Sequence, residues 1–178
     1  LHREQRRKGA NTPYIGHLLA VSALTIDFGG DEDQAIAALL HDAAEDQGGQ
    51  ARLDDIDQRF GARVARMVGD CTDTVTVPKP PWRARKETYI RSLATKPRDS
   101  LLVSLADKTH NADAILDDYC ALGPAVYDRF TGGREGTIWY YEELSAILAE
   151  IFPGRLSRRL AAAVGSLVTA DRAPAPMR

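Results

Sequence analysis

Apolar residues recur at helical spacing in almost every segment of this chain, and that periodicity restricts its fold more than any other feature. Strand-like alternation is confined to the short run TVTV at 74–77. Thr12-Pro13 reads as an N-cap followed by proline in the first helical position, opening a helix that ends near Gly29-Gly30. Asp31 caps a second helix that runs through DEDQAIAALLHDAAED (31–46) to Gly48-Gly49. Two short helices at 53–60 and 62–72 are broken at Gly61. VTVPKPP (75–81) is a loop leading into an amphipathic helix, and Pro97 opens a long helix to about Tyr119. Further helices are predicted at 124–130, 135–152 and 154–169. The expectation is an all-α fold, a single bundle of about seven to nine helices over residues 1–170, with 171–178 as a flexible tail.

Composition narrows the function classes only at their edges. A chain of 178 residues can bury a sizeable core. Its 23 Lys and Arg against 25 Asp and Glu give a net charge of −2, which argues against a surface built for nucleic acid. No run reaches the ~20 apolar residues that span a bilayer, and no signal-peptide pattern opens the chain. The two cysteines, Cys71 and Cys120, read as reduced thiols. These readings point to a cytoplasmic protein with neither a membrane nor a nucleic-acid partner. The sequence starts at Leu1 inside the charged stretch HREQRRK without an initiator methionine, so the native N-terminus is taken to lie upstream.

The segment AIAALLHDAAED (35–46) carries the first chemical signal. At about 100° per residue, Ile36, Leu39, Leu40, Ala43 and Ala44 share one arc of a helix, and His41, Asp42, Glu45 and Asp46 share the other. Only Ala35 and Ala38 stand between the polar residues, leaving room for something bulky. Taken alone, this pattern reads as the solvated face of an amphipathic helix. His17, in YIGHLLAV, is surrounded by apolar neighbours, where a lone histidine also fits a hydrogen-bonded core position. Asp107 follows SLLVSLA in a helix that reads as buried, and a buried carboxylate needs a charge partner or a metal. Lys108 leaves the helix about 100° away and is poorly placed to be that partner. Together His17, His41, Asp42 and Asp107 make a two-histidine, two-carboxylate set suited to Mn²⁺, Fe²⁺ or Zn²⁺.

The order H…HD…D resembles the HD metal-dependent phosphohydrolases. The stretches HREQRRKGANTPYIGH (2–17), ALLHDAAED (38–46), LDDIDQRFGARVARMVGDCTD (53–73) and VSLADKTHNADAIL (103–116) are similar, more closely, to the hydrolase domain of RelA/SpoT-type alarmone enzymes and to small alarmone hydrolases. The resemblance implies an HD-domain helical bundle in which His17, His41, Asp42 and Asp107 are metal ligands, typically of Mn²⁺. It implies that Glu45 and Asp46 orient or deprotonate an attacking water, and that Arg7 and Lys8 contact phosphates. The implied substrate is a small phosphorylated nucleotide, guanosine tetra- or pentaphosphate, which loses its 3′-pyrophosphate. The chemistry is coherent in general terms. A metal lowers the pKa of water, a nearby carboxylate takes the proton, and basic groups offset phosphoryl charge.

The family motif D-K-L-Y-N-L-R stands here as Asp107-Lys108-Thr109-His110-Asn111-Ala112-Asp113. Asn111 is retained one turn beyond Asp107, as a substrate contact beside the metal. His110 replaces the tyrosine and lies about 60° round the helix from Asp107. Asp113 replaces the arginine, and an acid there would repel a polyphosphate. Two alternative readings therefore stay open, hydrolysis of another nucleotide or phosphorylated dinucleotide, and a module that binds an alarmone without cleaving it. His2 reads as exposed, one turn before Arg6 in an opening helix. Trp82 and Tyr89 read as partly packed, and Trp139-Tyr140-Tyr141 as mostly core. Cys71 reads as a packed thiol.

Overall fold

A helix that is apolar on every side must be surrounded, and Arg98–Leu122 is organised that way at its start. All of Ser100 to Asp107 is buried. The computed structural model describes residues 2, 4–8 and 11–173. Among them lie α1 (Ile15–Asp27), α2 (Glu32–Leu40), α3 (Ala43–Asp46), α4 (Gly49–Phe60), α5 (Ala62–Cys71), α6 (Trp82–Leu93), α7 (Arg98–Leu122), a 3-10 segment (Gly123–Arg129), α8 (Gly133–Ile151) and α9 (Arg155–Arg172). α1, α2, α5 and α9 pack on α7, while α8 packs on α9, α6 and the 3-10 segment. Val64, Met67, Leu105, Leu144, Leu148 and Leu160 are fully enclosed where these helices meet. The fold is all-α, as the periodicity predicts, and no helix among the described residues is long and apolar enough to cross a membrane.

Local signals set several boundaries. Asp31 and Gln34 form a reciprocal cap: the Gln34 N–H donates to Asp31 Oδ1 and the Asp31 N–H to Gln34 Oε1, each at 3.0 Å. Gly61 separates α4 from α5 at φ 88°, a left-handed conformation that glycine adopts without steric cost. Pro97 precedes α7, whose continuation to Leu122 is three residues longer than the sequence predicts.

Two elements differ from expectation near the site. The first helix begins at Ile15 because residues 5–7 and 12–14 pair antiparallel instead of entering it. The Arg7 N–H donates to the Thr12 carbonyl at 3.0 Å and the Tyr14 N–H to the Gln5 carbonyl at 2.9 Å. The described part of the basic opening is therefore an extended arm rather than a helix. The second helix stops at Leu40 and resumes at Ala43, with His41 and Asp42 forming the turn between. Ala37, Ala38, Ala43 and Ala44 are all buried, so protein packs on both arcs that the uniform helix predicts. At the other end α9 continues through Arg172, and Arg134 on α8 holds Asp171 at 2.7 Å. Residues 174–178 of the expected tail lie outside the described residues.

Candidate metal centre

The break between α2 and α3 is what turns His41 inward. The carbonyls in the last turn of a helix lack intrahelical partners. His41 Nδ1 donates to one of them, the Ala38 carbonyl, at 2.7 Å, so its Nε2 points the other way. His17 reaches the same place from α1 and Asp107 from α7, and both are buried. The two Nε2 atoms are 3.3 Å apart. Asp107 Oδ1 lies 3.2 Å from His17 Nε2 and 3.3 Å from His41 Nε2. Asp42 Oδ2 lies 3.1 Å from His41 Nε2 and 3.9 Å from His17 Nε2. The structure thus brings all four residues predicted as ligands together.

This donor set fits a divalent cation. Atoms each about 2.0–2.2 Å from a shared metal, at tetrahedral or right angles, stand about 2.8–3.6 Å from one another. Of the five spacings that involve a histidine nitrogen, four fall in that range, and His17, His41 and Asp42 offer donor atoms all within 4.8 Å of one another. The set is imidazole and carboxylate without thiolate, the chemistry of a first-row divalent ion. Its electrostatics agree. Burial resists charge on His41, but Asp42 and Asp107 outweigh it and raise its pKa well above the usual histidine value. Burial likewise resists ionisation of Asp107, yet Lys108 and His41 hold its carboxyl well below the ordinary range. Two carboxylates kept ionised in a buried place favour positive charge between them.

Two of their supports are visible only in three dimensions. The Tyr14 hydroxyl donates to Asp42 Oδ2, and burial together with Asp42 pushes the phenol pKa up, so it remains a donor. The available sequence signal was its place three residues before His17, on the same side of the chain entering α1. Lys108 does pair with Asp107, at 2.6 Å, contrary to the expectation from helix angles. Those angles describe where a side chain leaves the backbone, and a four-carbon stem is long enough to curl back.

The remaining predicted residues line one cavity of about 560 Å³, together with His17, Asp42 and Asp107. Asn111 links the arm to the centre: its Nδ2 donates to Asp107 Oδ1 at 2.6 Å, and its Oδ1 accepts from Arg7 at 3.0 Å. Lys8 is on the same wall. Glu45 and Asp46 are drawn to different sides. Glu45 lies 3.2 Å from Lys79 and 3.8 Å from Arg85, whereas Asp46 accepts from Gln5 Nε2 at 2.8 Å. Among the described residues neither is bonded to the four donors. Opposite the arm, Lys86 lines the cavity and shares Asp73 with Arg85, at 2.8 and 2.6 Å. Trp82 also lines the cavity, its ring fitted over Gly132 and Gly136. A Cβ at those positions would meet the indole at 2.7 and 3.0 Å.

Two other expectations change. Asp113 does not line the cavity; it faces α9, where Arg159 holds it at 2.8 Å. The repulsion it would exert on a polyphosphate is offset within the protein. His2 is buried, with its ring 5.2 Å from that of Tyr14 and its Nδ1 bonded to Gln5. His110 approaches His17, with the two Nδ1 atoms 2.9 Å apart. Cys71 is packed beside Ser104, as expected of an enclosed thiol.

Comparison with known proteins gives a consistent picture. The HD-domain family profile matches residues 1–138. Human guanosine-3′,5′-bis(diphosphate) 3′-pyrophosphohydrolase MESH1 is 39% identical over 113 residues, which are 62% of this chain and 60% of the human protein. The match thus spans less than two thirds of that relative. Among solved structures, lmo0812 from Listeria monocytogenes superposes with a TM-score of 0.75 at 26% identity, over 86% of this chain and 99% of that one. A metazoan ortholog of SpoT that hydrolyzes ppGpp superposes with a TM-score of 0.75 at 27% identity, over 93% and 88%.

Proposed function

We propose that this chain, which belongs to the HD-domain family, is a metal-dependent pyrophosphohydrolase that removes the 3′-pyrophosphate of guanosine 3′,5′-bis(diphosphate). The observation that carries the reading is the convergence of His17, His41, Asp42 and Asp107 beside a cavity that Arg7, Lys8 and Lys86 also line. The named activities of the human relative and the metazoan structure support the choice of nucleotide.

His17, His41, Asp42 and Asp107 would hold the cation, in our reading Mn²⁺, with Fe²⁺ and Zn²⁺ as chemically similar occupants. A divalent ion there would lower the pKa of a water and offset phosphoryl charge. Glu45 and Asp46 flank the cavity from two sides, so either can accept the proton that the attacking water gives up. Water oxygen joins the proximal 3′-phosphorus, the P–O3′ bond breaks, and the 3′ oxygen takes up a proton. GDP and pyrophosphate are the products. Arg7 and Lys8 bind phosphoryl oxygens where charge builds up, and Asn111 holds Arg7 in register with Asp107. We read residues 1–170 as the catalytic unit and, from the free thiols of Cys71 and Cys120, place it in the cytoplasm.

The test is to incubate the Mn²⁺-loaded protein with guanosine 3′,5′-bis(diphosphate) and identify both products. GDP with pyrophosphate is expected. Orthophosphate release, or binding without turnover by metal-loaded protein, would overturn the assignment. With Arg159 taking the charge of Asp113, that residue no longer favours a different nucleotide.

A further inference from the structure

Each of the two histidines at the centre has one nitrogen facing the other ligands and one facing away. For His41 the outward nitrogen, Nδ1, meets a backbone carbonyl, which can only accept a hydrogen bond. Its proton is thereby fixed on Nδ1 and the Nε2 lone pair is left for the ligand set. His17 has no such arrangement. It lies within α1, away from the last turn where carbonyls lack helical partners, and its Nδ1 meets the side chain of His110 on α7 at 2.9 Å. Two imidazole nitrogens at that distance share one proton, so one ring donates and the other accepts.

We propose that His110 is a positioning residue, accepting at Nδ1 the proton that His17 carries on its own Nδ1, so that the His17 Nε2 lone pair is directed at the cation. His110 then carries its proton on Nε2. The inference rests on reading His17 as a ligand. It assigns to His110 a task that the Ala38 carbonyl performs for His41, and gives the position a role distinct from contact with the nucleotide. Asparagine supplies the conservative replacement, since its Oδ1 occupies nearly the place of a histidine Nδ1 and can accept the same bond.

Two measurements test this. Long-range ¹H–¹⁵N spectra of the Zn²⁺-loaded protein read the tautomers directly. The expected pattern is an Nδ1–H at His17 and an Nε2–H at His110, and a proton on Nδ1 of His110 would overturn the proposal. Chelator competition then compares Zn²⁺ affinity among variants. His110→Phe should weaken binding by about 10–100-fold, the usual cost of losing a ligand's outer partner, and His110→Asn should restore most of it. Melting of the variants in chelator should match the parent, separating lost affinity from lost fold. Equal affinity in His110→Phe and the parent defeats this proposal while leaving His17 as a ligand. A parent protein that binds no Zn²⁺ defeats the ligand reading itself.

Discussion

The candidate metal centre and the wall of the adjoining cavity are held by different means. At the centre, His17, His41 and Asp107 are buried, and each has a short contact to a group that is itself fixed. On the wall, Glu45 and Arg7 are held through the ends of long, partly exposed side chains, Glu45 by Lys79 and Arg7 by Asn111. Exposed pairs of that kind contribute little to stability and rearrange readily. The difference separates two tasks. Changes at the centre should alter whether the cation is held, and changes on the wall should leave the cation in place while altering how water and substrate are handled.

Asp42→Ala attacks the centre and should have the largest effect. Metal should be missing after dialysis and turnover undetectable, and added Mn²⁺ should raise the melting temperature of the parent only. Glu45→Ala removes a group from the wall that we assign to proton transfer. Metal content should be unchanged while kcat falls by about 10²–10⁴-fold, the usual contribution of a general base. Loss of metal in this variant would erase the proposed division between centre and wall.

Asp73→Asn probes a firmly anchored part of the wall, because Asp73 is enclosed beneath Lys86 and Arg85. The change removes the closest carboxylate from both cations and should cost about 3 kcal/mol in urea unfolding. Burial opposes ionisation of Asp73, but Lys86 and Arg85 outweigh it and hold its pKa below the ordinary value. Its contribution to stability is therefore complete above about pH 4 and is lost as pH falls through the lower folded value. The gap between parent and variant should narrow on acidification, and a constant gap would show that the charge of Asp73 is not responsible. Arg7→Ala should be the mildest, raising KM by about 10–100-fold, in line with one lost charge-assisted hydrogen bond, with little change in melting.

Residue type and spacing single out the four residues that converge at the centre, and periodicity, the Asp31 cap, Gly61 and Pro97 mark the helices. What local patterns leave out has a common physical origin. Treating 31–46 as one uniform helix hid the turn at His41-Asp42, which exposes the Ala38 carbonyl to the His41 ring. Thr12-Pro13 is a sound local start signal, but pairing with residues 5–7 prevailed over it. The partner of Asp113 is 46 residues away on another helix, beyond the reach of any local pattern. Lys108 reaches Asp107 because its flexible stem frees its charged end from the direction of its Cα–Cβ bond.

Trp82 rests over two glycines; a side chain at 132 would force its ring aside, and one at 136 would press it back by a few tenths of an ångström. Since that ring also borders the cavity, two positions with no chemical group to offer act as a width gauge for whatever enters. The chamber's size is thus set from behind its wall, at sites that need never touch a substrate.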